Sequence, residues 1–281
     1  MQEEMMTIED TELQQFLEAI YVKYGYDFRN YTLTSVKRQL QHRLAASGLN
    51  SLLELQQKAL DDPEFFKRLL NDLSITFSEM FRDPSFYRAL RAHVIPVLRT
   101  YPAVKIWHAG CAGGEEVYSL AILLQEEGLY DRTKIYATDL NHRILEQAQK
   151  GTYLIDHLSK YTGNYQESGG KESFAQYVTT RYNVMIVDEA LKAHIVFAIH
   201  DLVQDGVLDE MHLILCRNVL VYFNGNLQCH VLKLFFDSLC PQGFLCLGSH
   251  EHIRFSYYSR YFDPLIREER IYQRKLRAWG L

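Results

Sequence analysis

Metal-ligand cysteine spacing is missing from this 281-residue chain: its five cysteines, Cys111, Cys216, Cys229, Cys240 and Cys246, contain no C-x-x-C pair. An odd number, with Cys111, Cys216 and Cys246 in or beside apolar strand-like runs, fits reduced core thiols and argues against a disulfide framework or a zinc site. No apolar run approaches the roughly 18 residues of a membrane span. The N-terminal MQEEMMTIEDTE is acidic and lacks the apolar stretch of a secretory signal. A cytoplasmic protein without membrane insertion is therefore expected. The net charge of −5 argues against broad nucleic-acid binding. Also absent are the G-x-G-x-x-G of dinucleotide folds, a nucleophile elbow and a Cys–His pair, so covalent acyl transfer has no visible machinery.

The stretch that is present and informative runs from Lys105 to Leu124, KIWHAGCAGGEEVYSLAILL. It reads as a buried strand, a turn crowded by Gly110, Gly113 and Gly114, then a helix with Val117, Leu120, Ala121 and Leu124 on one face. Such glycines permit positive φ and close backbone approach to a ligand. Glu115 and Glu116 follow directly, and carboxylates at a helix N-terminus repel a phosphate. The turn is either an ordinary α/β core turn or a seat for a nucleotide-like ligand that carries positive charge and no phosphate.

Up to about Arg99 the pattern is helical. Leu13, Phe16, Leu17 and Ile20 form one stripe and Val36, Leu40 and Leu44 another. Ser51 to Glu54 reads as a capping box, and Asp62-Pro63 and Asp83-Pro84 each read as an N-cap with proline at the first helical position. On the second helix Lys37, Arg38, Gln41 and His42 oppose the apolar stripe, as a solvated face or as a surface for an acidic partner. From Val104 strands and helices alternate, with strands at Lys134–Thr138, His194–Ile199, His212–Cys216 and Gly243–Leu247 and a closing hairpin at Tyr261–Ile266 and Ile271–Arg274. This implies a mostly parallel sheet covered on both faces. The polar, tyrosine-rich stretch 152–193 is too long for a connection and reads as an inserted subdomain, with Gly169-Gly170 as its tight turn. The domains expected are thus 1–99, helical with a linker helix, and 100–281, carrying the sheet and the insert.

Asp139, at the carboxyl end of the second strand, is placed to accept both ribose hydroxyls of an adenosine ligand, without distinguishing a nicotinamide dinucleotide from S-adenosylmethionine. Arg217-Asn218 ends LILCRN and leads to Tyr222, either as a ligand edge or as a buried pair holding a loop. Thr76, Ser78 and Arg82 are the polar members of LSITFSEMFRD at the domain junction. His250 and His252 could pair on a metal, but no third ligand is apparent, and no metal is expected.

FSEMFRD, GCAGGEEVYSLAI, KIYATDLN, LILCRNVLVYF and PQGFLCLGSHE occur in this order after a helical domain. The arrangement resembles the CheR-type chemotaxis receptor methyltransferases over about Leu13 to Gln273. The resemblance implies an α/β fold: a Rossmann-like S-adenosylmethionine-dependent methyltransferase sheet with an N-terminal all-helical domain and a small inserted subdomain. It implies methyl transfer from S-adenosylmethionine, leaving S-adenosylhomocysteine, to glutamate side chains in the cytoplasmic helical region of methyl-accepting chemotaxis receptors, by a monomer. Carried over by motif, cofactor contacts fall on Thr76, Ser78, Arg82, Glu116, Asp139, Asp201, Leu202, Arg217 and Asn218, and the reaction centre on Arg82 and Tyr222. Lys37, Arg38 and His42 would meet the receptor. Thr76 and Asp201 each stand where the family usually has Asn, and the second helix is poorer in arginine than usual. A cofactor-binding regulatory module without transfer activity and a small-molecule O-methyltransferase remain alternatives.

Overall fold

The computed structural model describes residues 8–74, 78–254 and 256–276. Four helices lead: α1 (Asp10–Tyr24), α2 (Leu33–Ser47), α3 (Leu52–Asp61) and α4 (Pro63–Leu73). The stripes Leu13/Phe16/Leu17/Ile20 and Val36/Leu40/Leu44 are buried against one another and against Phe65, Phe66 and Leu69 of α4. Gly25 (φ +80°) and Gly48 (φ +62°) stop α1 and α2 in the left-handed conformation that glycine adopts without strain. Ser51 accepts the Glu54 N–H at 3.1 Å, while Glu54 reaches back to the N–H of Asn50 rather than of Ser51, so the capping box closes one residue early.

Asp62 takes the N–H groups of Glu64 and Phe65 at 2.9 and 3.0 Å ahead of Pro63. Asp62→Ala should therefore cost about 1 kcal/mol, read as a lower urea midpoint at unchanged slope.

The second proposed cap differs. Asp83 precedes α5 (Pro84–Ala89) but has φ +55° and makes no capping bond, because its carboxylate pairs with Arg217 instead. A wide π turn over Leu90–Val94 then runs into α6 (Ile95–Leu98). Pro96 explains it: its ring would collide with the Ala92 carbonyl of a regular helix, and the wider turn makes room.

Beyond α6 the chain alternates: β1 (Val104–Ala109), α7 (Glu115–Glu126), β2 (Thr133–Asp139), α8 (His142–Lys150), then β3 (Thr152–Leu154), α9 (Leu158–Glu167), β4 (Val178–Arg181) and β5 (Val184–Val187). It continues through β6 (Ile195–Ile199), β7 (Met211–Cys216), α10 (Gly225–Ser238), β8 (Leu239–Leu247), β9 (Phe262–Ile266) and β10 (Ile271–Arg274). The main sheet has the order β6-β2-β1-β7-β8-β10-β9, with only β10 and β9 antiparallel to their neighbours. The strand order reverses between β1 and β7, which opens a crevice at their carboxyl ends. No described helix is long and apolar enough to cross a membrane.

The insert forms its own antiparallel sheet, β3-β5-β4. Gly169-Gly170 does not make the hairpin. Gly169 (φ +80°) ends α9, the Gly170 N–H returns to Tyr165 O at 3.1 Å, and a Cβ on Gly170 would lie 2.2 Å from the Tyr165 ring. The hairpin turns at Tyr182-Asn183 instead, with Tyr182 at φ +53°. Glu126, at the end of α7, holds the insert in place by accepting from the Tyr165 and Tyr177 hydroxyls and the Lys171 N–H.

The helical layer covers the carboxyl edge of the main sheet. Thr32 N–H donates to Tyr222 O at 2.8 Å, Asn224 N–H to Asn30 O at 2.9 Å, and the Gln204 amide to Gly25 O at 2.7 Å. Tyr31 and Phe223 meet edge to face at 5.0 Å. Every one of these bonds ends on a loop that follows a strand of the parallel sheet.

Candidate active site

The glycine turn is strapped to the end of β2. Gly110 and Cys111 N–H groups both donate to Thr138 O, at 2.8 and 2.9 Å, and the Ala112 N–H donates to Asp139 Oδ2 at 3.0 Å. Two glycines have steric causes of their own. A Cβ on Gly110 (φ +74°) would fall 2.5 Å from a Val219 methyl, and one on Gly114 (φ +86°) 3.0 Å from Ala148 Cβ, where α7 meets α8.

Between this turn and the helical layer lies a cleft. Its floor carries Asp139, Leu140, Asp201, Leu202 and Asn218, and Tyr222 stands at one side. The helical layer supplies the roof, including Tyr31, Ser35 and Gln39. Asp139 Oδ1 also accepts the Asn141 N–H at 3.0 Å, and burial pushes its carboxyl above the ordinary range against the pull of these backbone donors. Asp201 takes the Val203 N–H and the Gln204 amide, with burial again raising its pKa. Asn218 sits at φ +61°, and its side-chain oxygen is buried without a partner. The cleft thus offers acceptors, an apolar Leu202 platform and, among the described residues of its lining, no lysine or arginine. That set suits the ribose hydroxyls, the ammonium and the sulfonium of S-adenosylmethionine.

Glu116 and Arg217 lie behind this wall rather than in it. Arg217, with a side chain 1% exposed, bonds the Glu116 carboxylate through Nη1 and Asp83 Oδ2 at 2.6 Å through Nη2. Its guanidinium lies 4.1 Å from the Phe86 ring centroid and reaches the Arg82 carbonyl at 3.3 Å. Burial raises the Glu116 carboxyl, while Arg217 and Arg82 pull it down. His108 stands 3.7 Å from Glu116, but burial and Arg217 depress its pKa to about 3, so it is neutral. This network anchors the start of α5 to the sheet and fixes where Arg82 leaves the chain.

Tyr222 is half-buried, and of the remaining expected residues Arg38 and Arg82 act on it. Burial raises its hydroxyl pKa, and the nearby charges of Arg38 and Arg82 oppose that. Lys37 is engaged with Asp10 at 2.6 Å, and His42 is exposed one turn from Arg38. The face of α2 turned to the cleft is Ser35 and Gln39, one turn apart. Ser78 lies beside Glu115 rather than in the cleft lining. Thr76 falls outside the described residues.

Sequence reasoning passed over Glu251. This residue, 4% exposed, accepts from the N–H groups of Asn218, Gly248 and Val221 and so clamps the loop that carries Asn218 and Tyr222. Its signal in the sequence is a lone acid between two histidines after an apolar strand. His250 is exposed.

Comparison with known proteins agrees with this architecture. Residues 11–74 match the CheR methyltransferase all-alpha domain, and residues 76–263 the CheR methyltransferase SAM binding domain, SAM being S-adenosylmethionine. A Pseudomonas putida protein named "Putative methyltransferase Cher3" is 48% identical over 265 residues, covering 94% of this chain and 97% of its own. The chemotaxis protein methyltransferase of Listeria innocua is 30% identical over 241 residues, 82% of this chain and 85% of its own. That of Salmonella typhimurium is 26% identical over 273 residues, 94% and 88%. With a helical layer closing an acceptor-lined cleft over a methyltransferase sheet, this chain belongs to the CheR family of S-adenosylmethionine-dependent methyltransferases.

Proposed function

We propose that the enzyme methylates glutamate side chains in the cytoplasmic helical region of methyl-accepting chemotaxis receptors, forming γ-glutamyl methyl esters. The observation that carries this is the placement of Tyr222 at the side of the cleft, where the positive charges of Arg38 and Arg82 act on its hydroxyl. That constellation suits an anionic acceptor, and the relatives named chemotaxis protein methyltransferases support a receptor as its source. Asp139, Asp201, Leu202 and Asn218 would hold S-adenosylmethionine, which supplies an electrophilic methyl group. A glutamate, with an ordinary pKa of about 4.3, is already ionised at neutral pH, so the protein need not supply a general base. Its tasks are to orient and desolvate the carboxylate. Arg82 steers it, the Tyr222 hydroxyl donates to one oxygen, and the helical roof excludes water.

Incubation with methyl-labelled S-adenosylmethionine and receptor-containing membranes tests the reading. Base-labile label on the receptor is expected. Label only in small acids or phenols, or cofactor binding with no transfer, would overturn it. Tyr222→Phe should lower kcat about tenfold, the worth of one net hydrogen bond, with S-adenosylmethionine affinity unchanged by calorimetry.

A further inference from the structure

A second cleft opens at the other end of the glycine turn. Gly113 and Glu115 form one wall, Gln147 of α8 another and Tyr153 of β3 a third, and the exposed Lys150 and His157 also line it. The Tyr153 hydroxyl donates to Gly113 O at 2.8 Å and so ties the insert to the turn. Glu115 Oε2 is buried without a hydrogen-bond partner, and a Cβ on Gly113 would come within 2.7 Å of it. The charged groups acting on this carboxyl are negative, Glu116 and Glu79, while its own backbone N–H and the Ser78 hydroxyl pull the other way. Burial and the two acids push it up to about 7. A buried acceptor of this kind is costly unless a donor reaches it, and a cation satisfies it best.

We infer that this cleft is a subsite for a basic side chain, lysine or arginine, carried by the protein substrate within a turn or two of the glutamate to be methylated. The inference rests on the proposed glutamate reading. Two features favour a side chain of the substrate over a free amine. The cleft is open, so a small cation gains few contacts there, whereas one delivered by a segment already held at Tyr222 arrives at high effective concentration. Gly110 also lines the first cleft and Gly113 this one, so the two clefts adjoin opposite ends of one glycine turn. Lys150 and His157 stand where solvent screens them and do not cancel the attraction at the buried oxygen.

The test uses fluorescent helical peptides with one glutamate and, one or two turns away, lysine, acetyl-lysine or glutamate. Binding is measured by anisotropy with the full-length enzyme saturated with S-adenosylhomocysteine, and initial methyl transfer on the same peptides. The wild-type enzyme should prefer the lysine to the acetyl-lysine peptide by about tenfold, and Glu115→Gln should bring the two within about twofold. An equal preference in both proteins, or none in the wild type, overturns the subsite. Absence of glutamyl ester on every peptide with the binding preference intact would instead overturn the glutamate reading and leave the subsite standing.

Discussion

Arg217→Ala is expected to destabilise the enzyme by about 3–5 kcal/mol, read as a lower denaturant midpoint with an unchanged slope. The side chain is 1% exposed and serves two carboxylates, Glu116 and Asp83, as well as the Arg82 carbonyl and the Phe86 ring. Its removal leaves Glu116, itself 5% exposed, as a buried acid that has lost the larger of the two positive charges acting on it, Arg217 ahead of Arg82. The cost is that of the orphaned charge more than of the lost pair. Arg217→Met combined with Glu116→Gln should therefore recover much of the loss, because two desolvated charges are exchanged for neutral groups of similar size. If the double variant were no more stable than Arg217→Ala, the ion pair would owe its value to packing on Phe86 instead.

This network also marks how far the sequence could be followed. Strands and helices were legible because their causes are local: Ile106 to Ala109 alternate with nothing that breaks a strand, and Leu13 to Ile20 repeat at helical spacing. Asp139 was legible too, since the end of a strand after a glycine turn dictates where an acid points. As sequence, Arg217-Asn218 offers a ligand edge or a buried pair holding a loop, and the backbone gives one role to each residue. Asn218, at φ +61°, lines the cleft, while Arg217 turns inward to partners 101 and 134 residues earlier in the chain. No spacing rule carries that information.

The same holds for Glu115 and Glu116. Neighbours on a helix diverge by about 100°, so one carboxylate meets Arg217 and the other a different cleft, yet as sequence they are two equal letters. Asp83-Pro84 copies Asp62-Pro63, but only one of them caps a helix, because a buried guanidinium competes for the other. On α2 the basic residues stood out in the sequence, whereas the cleft is faced by Ser35 and Gln39, two residues without charge to draw attention.

Asp139→Ala should weaken S-adenosylmethionine binding about a hundredfold, measured by calorimetry. The carboxylate is an acceptor on the cleft floor, and each of its oxygens makes one backbone bond, to Ala112 and to Asn141, leaving further lone pairs for the ribose hydroxyls. Hydrogen bonds from neutral donors to a charged group contribute about 1.5–3 kcal/mol each, and two at the lower bound give about two orders of magnitude. The substitution also frees the Ala112 N–H at a residue held at φ +46°, so part of the loss could come from a loosened glycine turn rather than from missing contacts. A 2′-deoxy cofactor separates these causes. Wild-type enzyme should bind it about tenfold more weakly than the parent cofactor, whereas Asp139→Ala should scarcely distinguish the two, the pattern of a direct contact in a double-mutant cycle. Were the variant to keep the full tenfold discrimination, the ribose would be held by another group and Asp139 would act only by fixing the turn.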